Sequence, residues 1–165
     1  MFECRSVGLD FLESAPSRTV NECELGCTPE ELFAIFEDPD SWPIWVQAIE
    51  RVEWTSPRPF AAGTTRTVTM TGGIVVDESF GVWDQGKRMS FCVIGVSKRV
   101  FSALAEDYQV TDLGSGRCKL RWTMAIEPPR MYRAIMPIVA LIMRWQTARV
   151  MKALAKYVDG EKRRS

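Results

Sequence analysis

The sequence predicts an α+β fold: a curved antiparallel sheet of about six to seven strands wrapped around one long C-terminal helix. Three observations lead there. Between Ile49 and Glu127, apolar residues recur at every second position in segments separated by turn residues. Those segments are joined by short turns, which implies antiparallel pairing, because parallel neighbours need long crossovers. After Pro128-Pro129 the period becomes helical and holds to about Val158.

In chain order, residues 1–17 read as an irregular lead-in, with Val7, Leu9, Phe11 and Leu12 available for packing. Residues 18–25 alternate and predict a strand. Thr28-Pro29-Glu30-Glu31 then opens a helix: Thr28 is a capping residue, Pro29 suits the first helical position, and Glu31 completes a capping box. That helix should run from Pro29 to Glu37 and stop at Asp38-Pro39-Asp40. A short second helical turn follows, carrying Trp42 and Trp45. Strands are predicted over residues 49–55, 64–71, 74–83, 88–96, 99–111 and 117–127. Gly72-Gly73 suits a two-residue hairpin loop. Within the last helix, Pro137 either produces a kink or occupies the first turn after a short helical prelude. One domain over residues 18–160 is expected, followed by a basic tail, 161–165.

Composition narrows the function classes. With 165 residues and 46% apolar residues the chain can bury a sizeable core. Its 21 basic and 21 acidic residues cancel, so no global positive field recruits nucleic acid, and no nucleic-acid partner is expected. The sequence contains no histidine, which removes Ser-His-Asp and Cys-His nucleophile systems and His-ligated metals. The cysteines Cys4, Cys23, Cys27, Cys92 and Cys118 are odd in number and lack metal-ligand spacing. They read as reduced, mostly buried thiols of a cytoplasmic protein, and no metal or other cofactor is expected. The N-terminus lacks a basic region followed by an apolar run, so no signal peptide is expected. The apolar stretch 134–143 is about half the length a membrane span needs, so no integral membrane segment is expected either.

Several segments, taken in order, resemble the SRPBCC superfamily, which holds START lipid-transfer domains, birch-pollen-allergen-like proteins and polyketide cyclase/dehydrase-like proteins. Thr28-Pro29-Glu30-Glu31-Leu32-Phe33 resembles its helix-opening segment. Asp40-Ser41-Trp42-Pro43-Ile44-Trp45 with Ile49-Glu50-Arg51-Val52-Glu53 resembles its Trp-centred second helix and next strand. Gly63-Thr64-Thr65, the segment 84–91 and the segment 116–122 fall where that family has comparable turns and strands. The resemblance spans roughly residues 18–158 and implies a helix-grip fold with a cavity between sheet and helix. It implies no particular reaction.

Alternation assigns the faces. Val68 and Met70 share a side, as do Val76, Glu78, Phe80 and Val82, and Met89, Phe91 and Val93. Leu104, Glu106, Tyr108 and Val110 share another, and so do Leu120, Trp122, Met124 and Ile126. These sets should form the concave face. A packed core and a cavity wall are equally compatible with them, and the resemblance favours the cavity. The expected ligand contacts are Val68, Met70, Val76, Phe80, Phe91, Val93, Tyr108, Trp122 and Met124 from the sheet, with Ile135, Val139 and Ile142 from the helix.

Glu78 and Glu106 fall on the apolar side, where a carboxylate is costly unless paired or protonated. Three readings stay open: acid–base chemistry toward a ligand, pairing with an inward arginine such as Arg66 or Arg149, or a parity error from a bulge. Tyr108 either orients a ligand oxygen or only packs. Trp42 and Trp45 either roof the cavity or hold the small helices on the sheet. The segment 131–145 is read as gripped helix over membrane-surface helix, because its polar face carries only Arg133 and Arg144.

The leading function is therefore a carrier or sensor of a hydrophobic, lipid-like or polyketide-like small molecule, acting as a monomer or homodimer. The alternatives are a cyclase, aromatase or dehydrase that uses Glu78, Glu106 and Tyr108, and a protein-interaction module.

Overall fold

The computed structural model describes residues 1–162, with all their side chains except those of residues 133–137, 139 and 162. The elements are β1 (Phe2–Glu3), α1 (Phe11–Ser14), β2 (Ser17–Leu25), α2 (Pro29–Glu37), α3 (Trp42–Trp45) and β3 (Ile49–Trp54). They continue with β4 (Thr65–Met70), β5 (Ile74–Asp84), β6 (Arg88–Val96), β7 (Ala103–Gly114) and β8 (Arg117–Glu127). A 3₁₀ turn, Arg130–Ile135, precedes α4 (Met136–Lys162).

All strand pairs are antiparallel, and the sheet runs β2-β8-β7-β6-β5-β4-β3, with β1 added on β6. This is the helix-grip architecture that the alternation predicts. The two sequence-distant edges, β2 and β3, leave a concave face that α2, α3 and the second half of α4 fill. α2 starts as its sequence dictates. The Thr28 hydroxyl accepts the Glu31 amide N–H, and the Glu31 carboxylate accepts the Thr28 amide N–H at 2.8 Å. Its apolar stripe, Leu32, Phe33 and Phe36, is wholly buried.

The lead-in is not irregular throughout. It forms β1 and α1, and Phe11 and Leu12 cover the outer face of the sheet at Cys92, Ala103, Ala105 and Ala125. The turn after β4 has three residues rather than two, because Met70 pairs with Ile74. Gly72 and Gly73 both take positive φ there, a conformation that costs glycine little. β7 begins at Ala103, not at residue 99; just before it, the Ser102 N–H donates to the Glu127 carbonyl and the Ser102 carbonyl accepts the Arg5 amide N–H. Pro137 lies in the first turn of α4, after the 3₁₀ prelude. Residues 161 and 162 prolong α4; Arg163 and Arg164 of the expected basic tail lie outside the described residues. The five cysteines are free thiols, and only Cys23 is not fully buried.

The two halves of α4 differ. Thr147, Met151, Leu154 and Val158 are buried, and Thr147 accepts a hydrogen bond from Asn21 of β2 at 2.9 Å. Ile138, Leu141, Ile142 and Trp145 are 50–69% exposed. Ile142, expected among the ligand contacts, is thus half-exposed in this structure. α4 is longer than the face offered by β2 and α3, so its first turns extend past the sheet. Ile135 and Val139 lie outside the described side chains.

Candidate functional site

Two arrangements could carry chemistry, one sealed in the core and one open. The sealed one lies on the concave face. Arg66 of β4 reaches inward from a position whose register places it beside Glu78 of β5, and its Nε donates to Glu78 Oε2 at 2.5 Å. The Arg66 guanidinium is boxed by rings of Trp42, Phe91, Phe80 and Trp54, with centroid distances of 4.2 to 5.3 Å. A buried cation is tolerated here because a carboxylate pairs with it and π-faces surround it. Glu106 of β7 has no cation bonded to it among the described residues. Its Oε2 accepts the Tyr108 hydroxyl at 2.6 Å and the Trp122 indole N–H at 2.9 Å.

These surroundings set the protonation. Burial pushes the Glu106 carboxyl up to about 7, and the nearby Glu78 charge adds to the rise. The donors Tyr108 and Trp122 pull the other way but do not offset burial. Burial also raises Glu78, against the pull of Arg66. Tyr108 is raised well above the usual phenol range by burial and by Glu106. One cation thus faces two buried carboxyls, and a proton on Glu106 brings the cluster to neutrality.

The expected ligand contacts are buried and packed on one another. Val68, Val76, Phe80, Phe91, Val93, Tyr108 and Trp122 are at most 6% exposed and belong to one core cluster. Met70 and Met124 are partly buried against it. Aromatic rings fill the space: Phe80 and Phe91 lie 5.1 Å apart, Tyr108 and Trp122 5.6 Å, and Phe36 of α2 meets Tyr108 at 5.5 Å. Val82 does not join this face. A bulge between Phe80 and Val82 shifts the register, and Trp83 packs inward instead.

The open arrangement is a cleft of about 630 Å³ between α4 and the segment joining α3 to β3, with Thr71 of the β4–β5 turn at its edge. On the α4 side, Trp145, Arg149, Val150, Lys152, Ala153 and Lys156 line it. Their spacing puts them on one face of the helix. Trp45 supplies wall on the other side. The Arg149 guanidinium stacks over the Trp145 ring at 4.6 Å. None of the expected sheet contacts lines this cleft, nor do Glu78, Glu106 or Tyr108. From the sequence, Arg149 is expected only as a partner for a buried acid and Trp45 only as roof or packing, and Lys152 and Lys156 are not among the expected site residues. The available signal was charge: residues 128–158 hold six basic residues and no acidic one.

A family model described as polyketide cyclase / dehydrase and lipid transport matches residues 18–159. The chain belongs to this family. It is 42% identical to an uncharacterized protein of Mycobacterium tuberculosis over 159 residues, covering 96% of this chain and 95% of the relative. A START superfamily protein from Mycobacterium smegmatis superposes with a TM-score of 0.71 at 13% identity, covering 87% of this chain and 98% of that one. The allergen Ara h 8.0201 superposes with a TM-score of 0.62 at 15% identity, over 87% and 97% of the two chains. Both structures support the fold that membership in the SRPBCC superfamily implies. Among the described residues, no helix is long and apolar enough to cross a membrane, and no cluster of three or more His, Cys, Asp or Glu is placed to hold a metal.

Proposed function

We propose that the protein is a carrier or sensor that binds a hydrophobic small molecule, and that the cleft along α4 receives it. The supporting observation is the contrast between the two arrangements. The concave face is filled by its own aromatic rings, whereas the cleft is open, is walled by Trp45, Trp145, Val150 and Ala153, and has a volume in the range of small-molecule sites. Native mass spectrometry of the purified protein, followed by extraction and identification of retained compounds, tests this. A retained apolar compound that is lost on Val150→Asp supports the reading. Retention undisturbed by that change would place the ligand elsewhere.

One observation favours a second reading, a cyclase or dehydrase. Glu106 is a buried carboxyl with no cation bonded to it among the described residues, pushed up to about 7 and held by Tyr108, as a general acid working near neutral pH requires. Under this reading, Glu106→Gln lowers turnover of a cyclising or dehydrating substrate by about 10²-fold or more while binding persists. Glu78 does not fit that role, because Arg66 holds it.

A further inference from the structure

We infer that the cleft takes an amphiphile with an oxyanion head group, the head held by Arg149, Lys152 and Lys156 and the chain lying against Trp145, Val150 and Trp45. This rests on the reading of the cleft as the ligand site and adds the class of ligand.

The cleft is rich in donors and poor in acceptors. Arg149, Lys152 and Lys156 all line it, and none forms an ion pair among the described residues. Some surface basic residues elsewhere find partners, Lys119 and Arg121 sharing Glu22 and Arg117 reaching Glu24, whereas others, such as Arg18 and Arg99, form no ion pair among the described residues. No lining residue of the cleft is acidic. The three cations lie within two turns on one helix face, where a single head group meets all of them.

A second observation is independent of the charges. Trp45 is 2% exposed, yet its indole N–H has no acceptor among the described residues. Indole nitrogen only donates, and this one is itself buried, so it is a costly unmet donor within the cleft wall and not a group exposed to the cleft. The other tryptophans buried in the fold are satisfied: Trp42 donates to the Phe36 carbonyl and Trp122 to Glu106. An oxyanion at the cleft supplies the counter-charge that Arg149, Lys152 and Lys156 lack. The apolar wall between Trp45 and Val150 then asks for a hydrocarbon chain, not a free inorganic anion.

Isothermal titration with four twelve-carbon probes tests this: dodecanoate, dodecyl phosphate, 1-dodecanol and dodecyltrimethylammonium. At low salt, at least one of the two anions should bind about tenfold or more tightly than the alcohol, with the cation weakest. A single exposed charge contributes only a small factor, so this size needs several cations acting on one head. The preference should shrink with added salt. In a Lys152→Gln/Lys156→Gln variant, shown folded by circular dichroism, anion and alcohol should come within about threefold of each other, whereas Lys87→Gln, in the β5–β6 turn and not lining the cleft, should keep the preference. Tighter dodecanoate identifies a fatty-acid head, and tighter dodecyl phosphate a phosphate head; either supports the inference. Equal affinity for anion and alcohol, or a preference untouched by the double change, overturns it and leaves the cleft as an apolar site. Binding of none of the four overturns both this inference and the proposed ligand site.

Discussion

Arg66 and Arg149 both lie over an indole ring, at 4.2 Å from Trp42 and 4.6 Å from Trp145, yet they serve opposite ends. The Arg66 side chain is 1% exposed, ion-paired to Glu78 and enclosed by aromatic rings. Arg149 is exposed, lines an open cleft and has no ion-pair partner among the described residues. The same cation-over-indole contact is thus a structural joint where water is excluded and a receptive group where it is not. In the interior, removing a partner leaves a charge without compensation; at the cleft, it removes only a contact that water replaces.

The sharpest way to test that contrast is stability. Arg66→Met should cost about 3–5 kcal/mol, because Glu78 loses its counter-charge while still buried. For a domain of this size that lowers the midpoint of thermal unfolding by roughly 10 °C. Adding Glu78→Leu should restore much of the loss, and failure to do so would mean that Arg66 acts through its rings and not through the pair. Trp122→Ala should cost a comparable amount, about 3–5 kcal/mol, since it removes a buried ring and one of the donors to Glu106. Trp42→Ala is not a mild control for it, because Trp42 is itself 2% exposed and covers Arg66. Trp145, at 60% exposure, is the proper control.

Next in size is a dependence on pH. The folded protein holds a proton on Glu106 up to about 7, whereas the unfolded chain releases it near 4.5. Between those values the native state binds the extra proton, so stability falls as pH rises, and the contribution is complete below the lower value. The span corresponds to about 3 kcal/mol in order of magnitude. Urea unfolding between pH 4.5 and 7.5 should show this slope, and Glu106→Gln should flatten it in part, because raised Glu78 titrates in the same direction. Equal slopes in the two proteins would place the titration elsewhere. The smallest effect belongs to the cleft: Arg149→Ala or Trp145→Ala should change stability by less than about 0.5 kcal/mol, the ordinary scale for surface substitutions. A larger loss would make the cleft a structural feature after all.

Much of the fold was legible because it rests on local rules. The Thr28–Glu31 box and the two-residue period of β4 to β8 each specify an element without help from the rest of the chain. The inward placement of Glu78 and Glu106 followed from the same period. The bulge at Gly81 did not, since one extra residue leaves no compositional mark, and it exchanged Val82 for Trp83. The filled concave face escaped as well. Alternation states which side a residue faces, not how much room its neighbours leave, and here Phe33, Phe36 and Trp42 occupy that room. The cleft was illegible for another reason: its residues come from α3, the α3–β3 segment, the β4–β5 turn and α4, which only the folded chain brings together.

α4 is a beam fixed at one end. Asn21, Met151, Leu154 and Val158 hold its second half, while Ile138, Leu141 and Ile142 project beyond that support. Rigidity should therefore decay along a single helix, and amide hydrogen exchange is its natural measure. Amides of residues 151–158 should open only with the whole core, and those of 140–145 orders of magnitude sooner. Arg149 and Lys152 sit where the fixed span begins, whereas Trp145, on the same cleft, belongs to the freer end, so the head-group side of the cleft should be the more rigid one.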